Sequence, residues 1–338
     1  MRGSLDIVPS EQSHLATTVA DLRVPSSYPE GTTRVEAIET HMAWVFLTDT
    51  HAYKLKKPLH TRLIDHTTVE ARRRACHTEL TLNRRLAAPV YRAVVPVTET
   101  DAGRRVEGNG PVVDWLVKMR RLPHTEMLDA RIEQGTVRRA DVRRMGTKLS
   151  AFYARAHPLR WTAATYRGRL AANIKAKGAS LERPHYGLDR TAVRSVVAKQ
   201  LRWLAENEAL LGRRSDHIVD AHGDLRPGHV CLTDPPMIID CLEFNRSLRL
   251  LDPVSDLSFL SLECCRLGAD WIGTRLLAHY RTQTNDAASP ALIPFYESYH
   301  ALIRAAIAIW HLDDDTVSDP AHWRQQAQTY LRLAHERL

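Results

Sequence analysis

Within AHGDLRPGHVCLTDPPMIIDCLEF, residues 221–244, His222, Asp224, His229 and Asp240 are side chains that can hold protons or metal ions. The apolar runs VCLT and MIID flank Asp234-Pro235-Pro236, a turn signal, and read as a short β-hairpin. A hairpin symmetric about that turn sets Thr233 opposite Met237 and carries Val230 opposite Asp240. Asp240 is then delivered beside His229, with Asp224 a few residues earlier on the same irregular segment. Two carboxylates and an imidazole at one end of a hairpin suit phosphoryl transfer. One carboxylate orients a hydroxyl and takes its proton, and the other holds a Mg2+ ion that bridges nucleotide phosphates. The plain alternative is a capping Asp and a turn Asp that only satisfy backbone amides. Delivery of Asp240 by the hairpin weighs against it.

The combination HGDLRPGHVCL, IIDCLEF and LLDPVSDLSFL resembles the aminoglycoside phosphotransferase branch of the protein-kinase-like fold, with likeness to its bacterial "gluconate kinase-like" members. The resemblance runs over roughly residues 34–310 and is most specific in the loop and hairpin. It implies an α+β, bilobal protein-kinase-like fold, with a small antiparallel β lobe carrying one long helix and a larger, mainly helical lobe. By the same resemblance Asp224 is the catalytic acid–base and His222 the histidine that braces its loop. Asp240 is the metal-binding aspartate, and Asp252 and Asp256 hold the loop from behind. An acid at position 256 also suits a helix N-terminus in its own right. His229 departs from the pattern, which has Asn there with an amide oxygen for the metal. Mg2+ prefers oxygen ligands, so the site either uses fewer protein ligands or turns His229 to phosphate or to Asp224, and Mn2+ becomes an alternative ion.

The nucleotide side of such a fold needs a strand lysine and a helix glutamate. HAYKLKK supplies Lys54 and Lys56, which share a strand face because side chains alternate. Lys54 fits the register of the pattern and Lys56 is the close alternative. Glu79 lies on an otherwise apolar face of the helix TTVEARRRACHTELTLNRRLA, where an acid calls for a paired cation. VDWLVKMRRLP resembles the strand and hinge between lobes. Met119 then stands behind adenine, and the backbone of Arg120 and Leu122 offers it hydrogen bonds. No glycine-rich G-x-G-x-x-G precedes the lysine and no G-x-x-x-x-G-K-[ST] occurs, so a P-loop partner domain is not expected.

These residues must be positioned by recognisable elements. Residues 42–57 read as a hairpin. Thr67, with Glu70 three residues on, reads as a capping-box start for a helix whose inner face is Ala75, Glu79, Leu82 and Leu86. YRAVVPVTE and PVVDWLVKMRRL are strand candidates separated by the turn DAGRRVEGNG. Val142, Met145, Leu149 and Phe152 mark a later helix. Val193 to Leu211 mark another, with Gly212 as its stop. The division expected is a β-rich nucleotide lobe over residues 1–118 and a hinge with a helical catalytic lobe over 119–338.

The 338 residues carry a formal net charge of +8, with 44% hydrophobic and 25% charged side chains, an ordinary soluble composition. Basic residues are scattered along helices without interleaved aromatics, so no nucleic-acid partner is expected. The start, MRGSLDIVPSEQSHL, has no apolar leader core, and ALIRAAIAIW is too short to span a bilayer. The five cysteines show no CxxC spacing and read as reduced thiols of a cytoplasmic protein. The acceptor is expected along the helices after residue 254, near Glu243, Asn245, Tyr296, Tyr299 and Arg304, with acids 313–315 as a further source of charge. The leading expectation is an ATP-dependent kinase acting on a hydroxyl of a sugar, sugar acid or aminoglycoside-like molecule. A nucleotide-binding pseudo-kinase with a regulatory role is the alternative.

Overall fold

The computed structural model describes residues 9–29, 31–61, 64–313, 317 and 319–338. In chain order the elements are α1 (Pro9–Leu22), β1 (Glu36–Glu39), β2 (Ala43–Leu47), β3 (His51–Lys56), α2 (Val69–Ala87), β4 (Tyr91–Thr100), β5 (Gly103–Val106) and β6 (Val112–Arg120). Then follow α3 (Leu128–Glu133), α4 (Arg139–Arg155), α5 (Ala163–Leu181), α6 (Arg190–Glu206), α7 (Glu208–Gly212), β7 (Val219–Asp220), β8 (Val230–Cys231) and β9 (Met237–Ile238). The chain ends with α8 (Arg246–Arg249), β10 (Leu250–Leu251), α9 (Pro253–Arg266), α10 (Asp270–Thr284), α11 (Leu292–Trp310) and α12 (Pro320–Glu336). Two compact units result. A sheet unit takes residues up to 127 and also 229–246, and a helical unit takes 128–228 and 247–338.

The sheet unit is built on an antiparallel sheet of order β1-β2-β3-β6-β4-β5. Strand alternation decides what each face does. On β3, Tyr53 and Leu55 turn into a core shared with Val19 and Leu22 of α1, Phe46, Val95, Val97 and Leu116. Ala52, Lys54 and Lys56 occupy the opposite face, against α2. The turn DAGRRVEGNG contains a strand of its own, β5, paired to β4.

Helix α2 starts at Thr68, whose side chain accepts from the Ala71 N–H, not at Thr67. Thr67 instead donates to Asp65 at 2.7 Å, and the shift by one residue takes Glu70 out of capping-box position. The inner stripe of α2 is likewise turned from the expected one. It is Arg72, Cys76, Glu79, Asn83 and Leu86 that are buried, while Ala75 and Leu82 are half-buried. Arg72 is accommodated by Asp114 of β6, 3.0 Å from its Nε, and by the His66 carbonyl.

In the helical unit α9 is buried on all sides from Pro253 to Cys264. Its polar side chains must therefore find partners inside the protein. Ser255 meets His300, Ser261 donates to Glu297, and Glu263 accepts from Tyr330. The helix expected up to Leu211 is two: α6 ends at Glu206, Asn207 breaks the helical backbone, and α7 ends at Gly212.

Candidate functional site

The sheet unit gathers five charged side chains into one line. Glu79, wholly buried on α2, accepts from Lys54 at 3.0 Å through one carboxylate oxygen and from Lys56 at 2.6 Å through the other. Lys54 goes on to Asp240 at 2.6 Å, and Lys56 goes on to Glu243. The order is Asp240–Lys54–Glu79–Lys56–Glu243. Both expected lysines thus meet Glu79 and differ in surroundings. The Lys56 side chain is 2% exposed and that of Lys54 15%, while Asp240 at the open end is 40% exposed. Burial alone would lower both ammonium groups, but the facing carboxylates outweigh it and hold both above the ordinary lysine value. Burial also works against the Glu79 carboxylate, and the two lysines overcome it to hold its pKa below the usual value.

The segment after β9 is fixed onto α2 by its backbone. Asn83, one turn after Glu79, accepts from the Cys241 N–H at 2.8 Å and donates to the Glu79 carbonyl. Asn83 was not singled out from the sequence, although its place on the Cys76–Glu79 stripe marks it. Asp240 adopts a left-handed backbone with φ +59°, an uncommon state for a residue with a side chain. Its N–H donates to the Tyr91 hydroxyl at 3.1 Å.

The hairpin that delivers Asp240 has another register than the symmetric one. Val230 pairs with Ile238 and Cys231 with Met237, so Val230 does not face Asp240 and Thr233 does not face Met237. The reason is local. Pro235 and Pro236 have no N–H to give, and the Leu232 N–H goes to the Glu126 carbonyl, so residues 232–236 all become loop. His229 and Asp240 still meet, because the Ile239 N–H bonds the His229 carbonyl and the turn at Asp240 returns its carboxylate. Oδ2 of Asp240 lies 3.4 Å from His229 Nε2.

The carboxylate of Asp240 and the imidazole of His229 are the two side chains here that could serve as donors to a divalent ion. No group of three or more His, Cys, Asp or Glu side chains suited to a metal occurs among the described residues. Two ammonium groups against three carboxylates leave one negative charge in excess, which a cation offsets. The Asp240 carboxylate suits an ion of the Mg2+ type, which keeps several waters and takes further ligands from phosphate, whereas the His229 imidazole is a poor ligand for it.

Met119 lies on β6, nearly buried, paired with Ala52 and Tyr91. Arg120 departs from expectation as a donor, since its N–H is already given to the Val90 carbonyl. Leu122 follows the end of β6 in irregular backbone. Glu243, expected on the acceptor side, is spent on Lys56.

The helical unit holds the HGD loop. Strand β7 pairs with β10 and leads into it. Asp256 of α9 accepts from the His222 and Gly223 N–H groups and from the Tyr153 hydroxyl, at 2.9, 3.2 and 2.9 Å. Gly223 adopts φ +84°, which a side chain would strain. The buried His222 ring accepts the Asp224 N–H through Nδ1 at 3.3 Å, so the loop is braced both by its own histidine and by α9. Arg226 holds Asp224 with Nε at 3.2 Å.

Asp252 does not join Asp256 in bonding the loop. It caps α9, takes both arms of Arg214 at 2.7 Å, and accepts from Tyr296. Arg214 also reaches Asp286. Tyr296 and Tyr299 are buried core residues bonded to Asp252 and Asn173. Asp313 accepts from Tyr186, and residues 314 and 315 lie outside the described residues.

No family model matches the chain. Over 280 residues it is 30% identical to an uncharacterised protein of Mycobacterium tuberculosis (strain ATCC 25618 / H37Rv) and, equally, to one of Mycobacterium bovis (strain ATCC BAA-935 / AF2122/97). These matches take in 81% of this chain and 54% of the relatives, so the chain spans about half the length of the curated relatives it matches. Among solved structures, the GDP complex of aminoglycoside 2'-phosphotransferase-IIIa has a TM-score of 0.58 at 11% identity, covering 96% of this chain and 98% of that one. A choline/ethanolamine kinase family protein from Mesorhizobium loti gives 0.54 at 14% identity, with 97% and 99% covered. A glucosamine kinase in complex with glucosamine, ADP and inorganic phosphate gives 0.52 at 15%, with 88% and 79% covered. At such identities the likeness is one of fold. With an antiparallel sheet in one unit and helices in the other, the chain shares the α+β fold of these solved structures.

Proposed function

We propose that the chain is an ATP-dependent phosphotransferase that moves the γ-phosphoryl group to a hydroxyl of a small molecule. The observation that carries this reading is Lys54, which joins Glu79 and Asp240 in one line of ion pairs within a fold shared with small-molecule kinases. In this reading the sheet unit takes the nucleotide. Lys54 exchanges Asp240 for the α- and β-phosphates, and Glu79 keeps it aimed. Asp240 and His229 would hold a Mg2+ or Mn2+ ion, whose charge would offset that of the phosphates. Met119 and the backbone after β6 flank adenine.

The helical unit takes the acceptor. Asp224 orients the hydroxyl and receives its proton as the oxygen–phosphorus bond forms and the bond to the leaving ADP breaks. His222 and Asp256 hold the loop still, which matters because this chemistry depends on positioning more than on covalent help.

A pseudo-kinase reading draws on one observation, the imidazole of His229 where an oxygen donor suits Mg2+ better. The experiment that separates the two is phosphate transfer from ATP or GTP to a panel of sugars, sugar acids and aminoglycosides, with Mg2+ and then Mn2+. Transfer that is lost in Asp224→Ala and Asp240→Asn supports the enzyme. Nucleotide binding without transfer to any member supports the regulatory module. Full activity in both variants sinks the site assignment.

A further inference from the structure

The second lysine of β3 is not needed for a simple Lys–Glu pair, yet it makes the most enclosed contacts of the cluster. Lys56, Glu79 and Glu243 have side chains 2%, 0% and 9% exposed, whereas Lys54 and Asp240 are 15% and 40% exposed. The line of charges is therefore closed at one end and open at the other. At the closed end Lys56 neutralises one oxygen of Glu79 and is itself held by Glu243. At the open end Lys54 divides its ammonium between the other oxygen of Glu79 and Asp240.

A fully buried carboxylate must keep a counter-charge. If Lys54 were the only cation at Glu79, sharing its ammonium with phosphate would leave that carboxylate only partly compensated. With Lys56 in place, Glu79 stays neutralised while Lys54 is shared. We infer that Lys56 is a positioning residue, which acts through Glu79 to release Lys54 for nucleotide phosphate, with Glu243 as its anchor. This rests on the nucleotide reading proposed above. Lys56 touches no phosphate in this scheme, and its effect exists only where Lys54 is present.

That dependence is the test. ADP with Mg2+ is titrated calorimetrically into the full chain, the Lys56→Met and Lys54→Met variants and the double variant, each first checked for folding by circular dichroism. Lys56→Met should weaken ADP binding about tenfold, within the coupling seen for residues of one ion-pair network. In the Lys54→Met background the same change should weaken it by less than about twofold. Equal losses in both backgrounds, or no loss in either, overturn the inference while the nucleotide site stands. A wild-type chain that does not bind ADP, or a Lys54→Met chain that binds as wild type does, overturns the nucleotide reading itself and the inference with it. If Lys56→Met does not fold, Lys56→Gln carries the same cycle, since it keeps a donor to Glu79 without the charge.

Discussion

Asp240 combines a carboxylate held by Lys54 with a left-handed backbone, and the two must be kept apart when it is changed. Asn tolerates that backbone well, whereas Ala adds strain at φ +59°. Asp240→Asn is thus the variant whose effects report on charge. Arg214 is a residue whose loss should cost the fold heavily. Its guanidinium is held by Asp252 and Asp286 with all three side chains 5% exposed or less. Arg214→Met leaves two buried carboxylates facing each other, and urea unfolding should show a loss of about 3–5 kcal/mol. The contrast with Glu79 shows what a sequence carries at this scale. An acid on an apolar helix face announced a cation, and two lysines at alternate strand positions were there to meet it. Asp252 was expected to hold the HGD loop with Asp256, and its actual partners, Arg214 and Tyr296, come from distant segments with no local signal.

At the level of elements, α9 and α10 approach so closely that a Cβ on Gly273 would stand 2.0 Å from Ser261 Oγ and 2.8 Å from its Cα. Gly273→Ala must push the helices apart, and a loss of about 1–3 kcal/mol in chemical denaturation is expected. Helices and strands with a clean period were legible in advance. The hairpin around residues 42–57 is β2 and β3, and Val142, Met145 and Leu149 do lie inside α4. What failed was phase. The start of α2 moved by one residue because Thr67 found Asp65, and its buried stripe turned because Arg72 found Asp114. Apolar periodicity cannot see a stripe whose members are Arg, Glu and Asn. The β8–β9 register moved because a side contact, Leu232 to Glu126, took an amide that the symmetric hairpin assumed was free.

For the molecule as a whole, acid should be the weak flank. His300 is stacked on Phe259 and bonded to Ser255, and burial pushes its pKa down from 6.5 to about 4. His66 is pushed down to about 4 by burial and by Lys56. Above pH 6.5 folded and unfolded chains both carry neutral imidazoles, and their contribution to stability is fully present. As pH falls from 6.5 toward 4 the unfolded chain gains protons that the folded one refuses, so that stability is lost. For His300 the slope is ~1.4 kcal/mol per pH unit across that window. Melting temperatures at stepped pH should fall there, and His300→Gln should flatten the fall. A wild-type profile level from pH 6.5 to 4.5 would contradict this.

The division of the chain has a practical meaning for gene design. The sheet unit includes residues 229–246, which are encoded after the first long stretch of the helical unit, residues 128–228. A fragment stopped at Met127 would hold Lys54, Lys56, Glu79 and Asn83 but not Asp240, the Cys241 amide or Glu243. Truncation cannot isolate a working half. Splicing residues 229–246 behind Met127 through a flexible linker would restore every partner in the charged line.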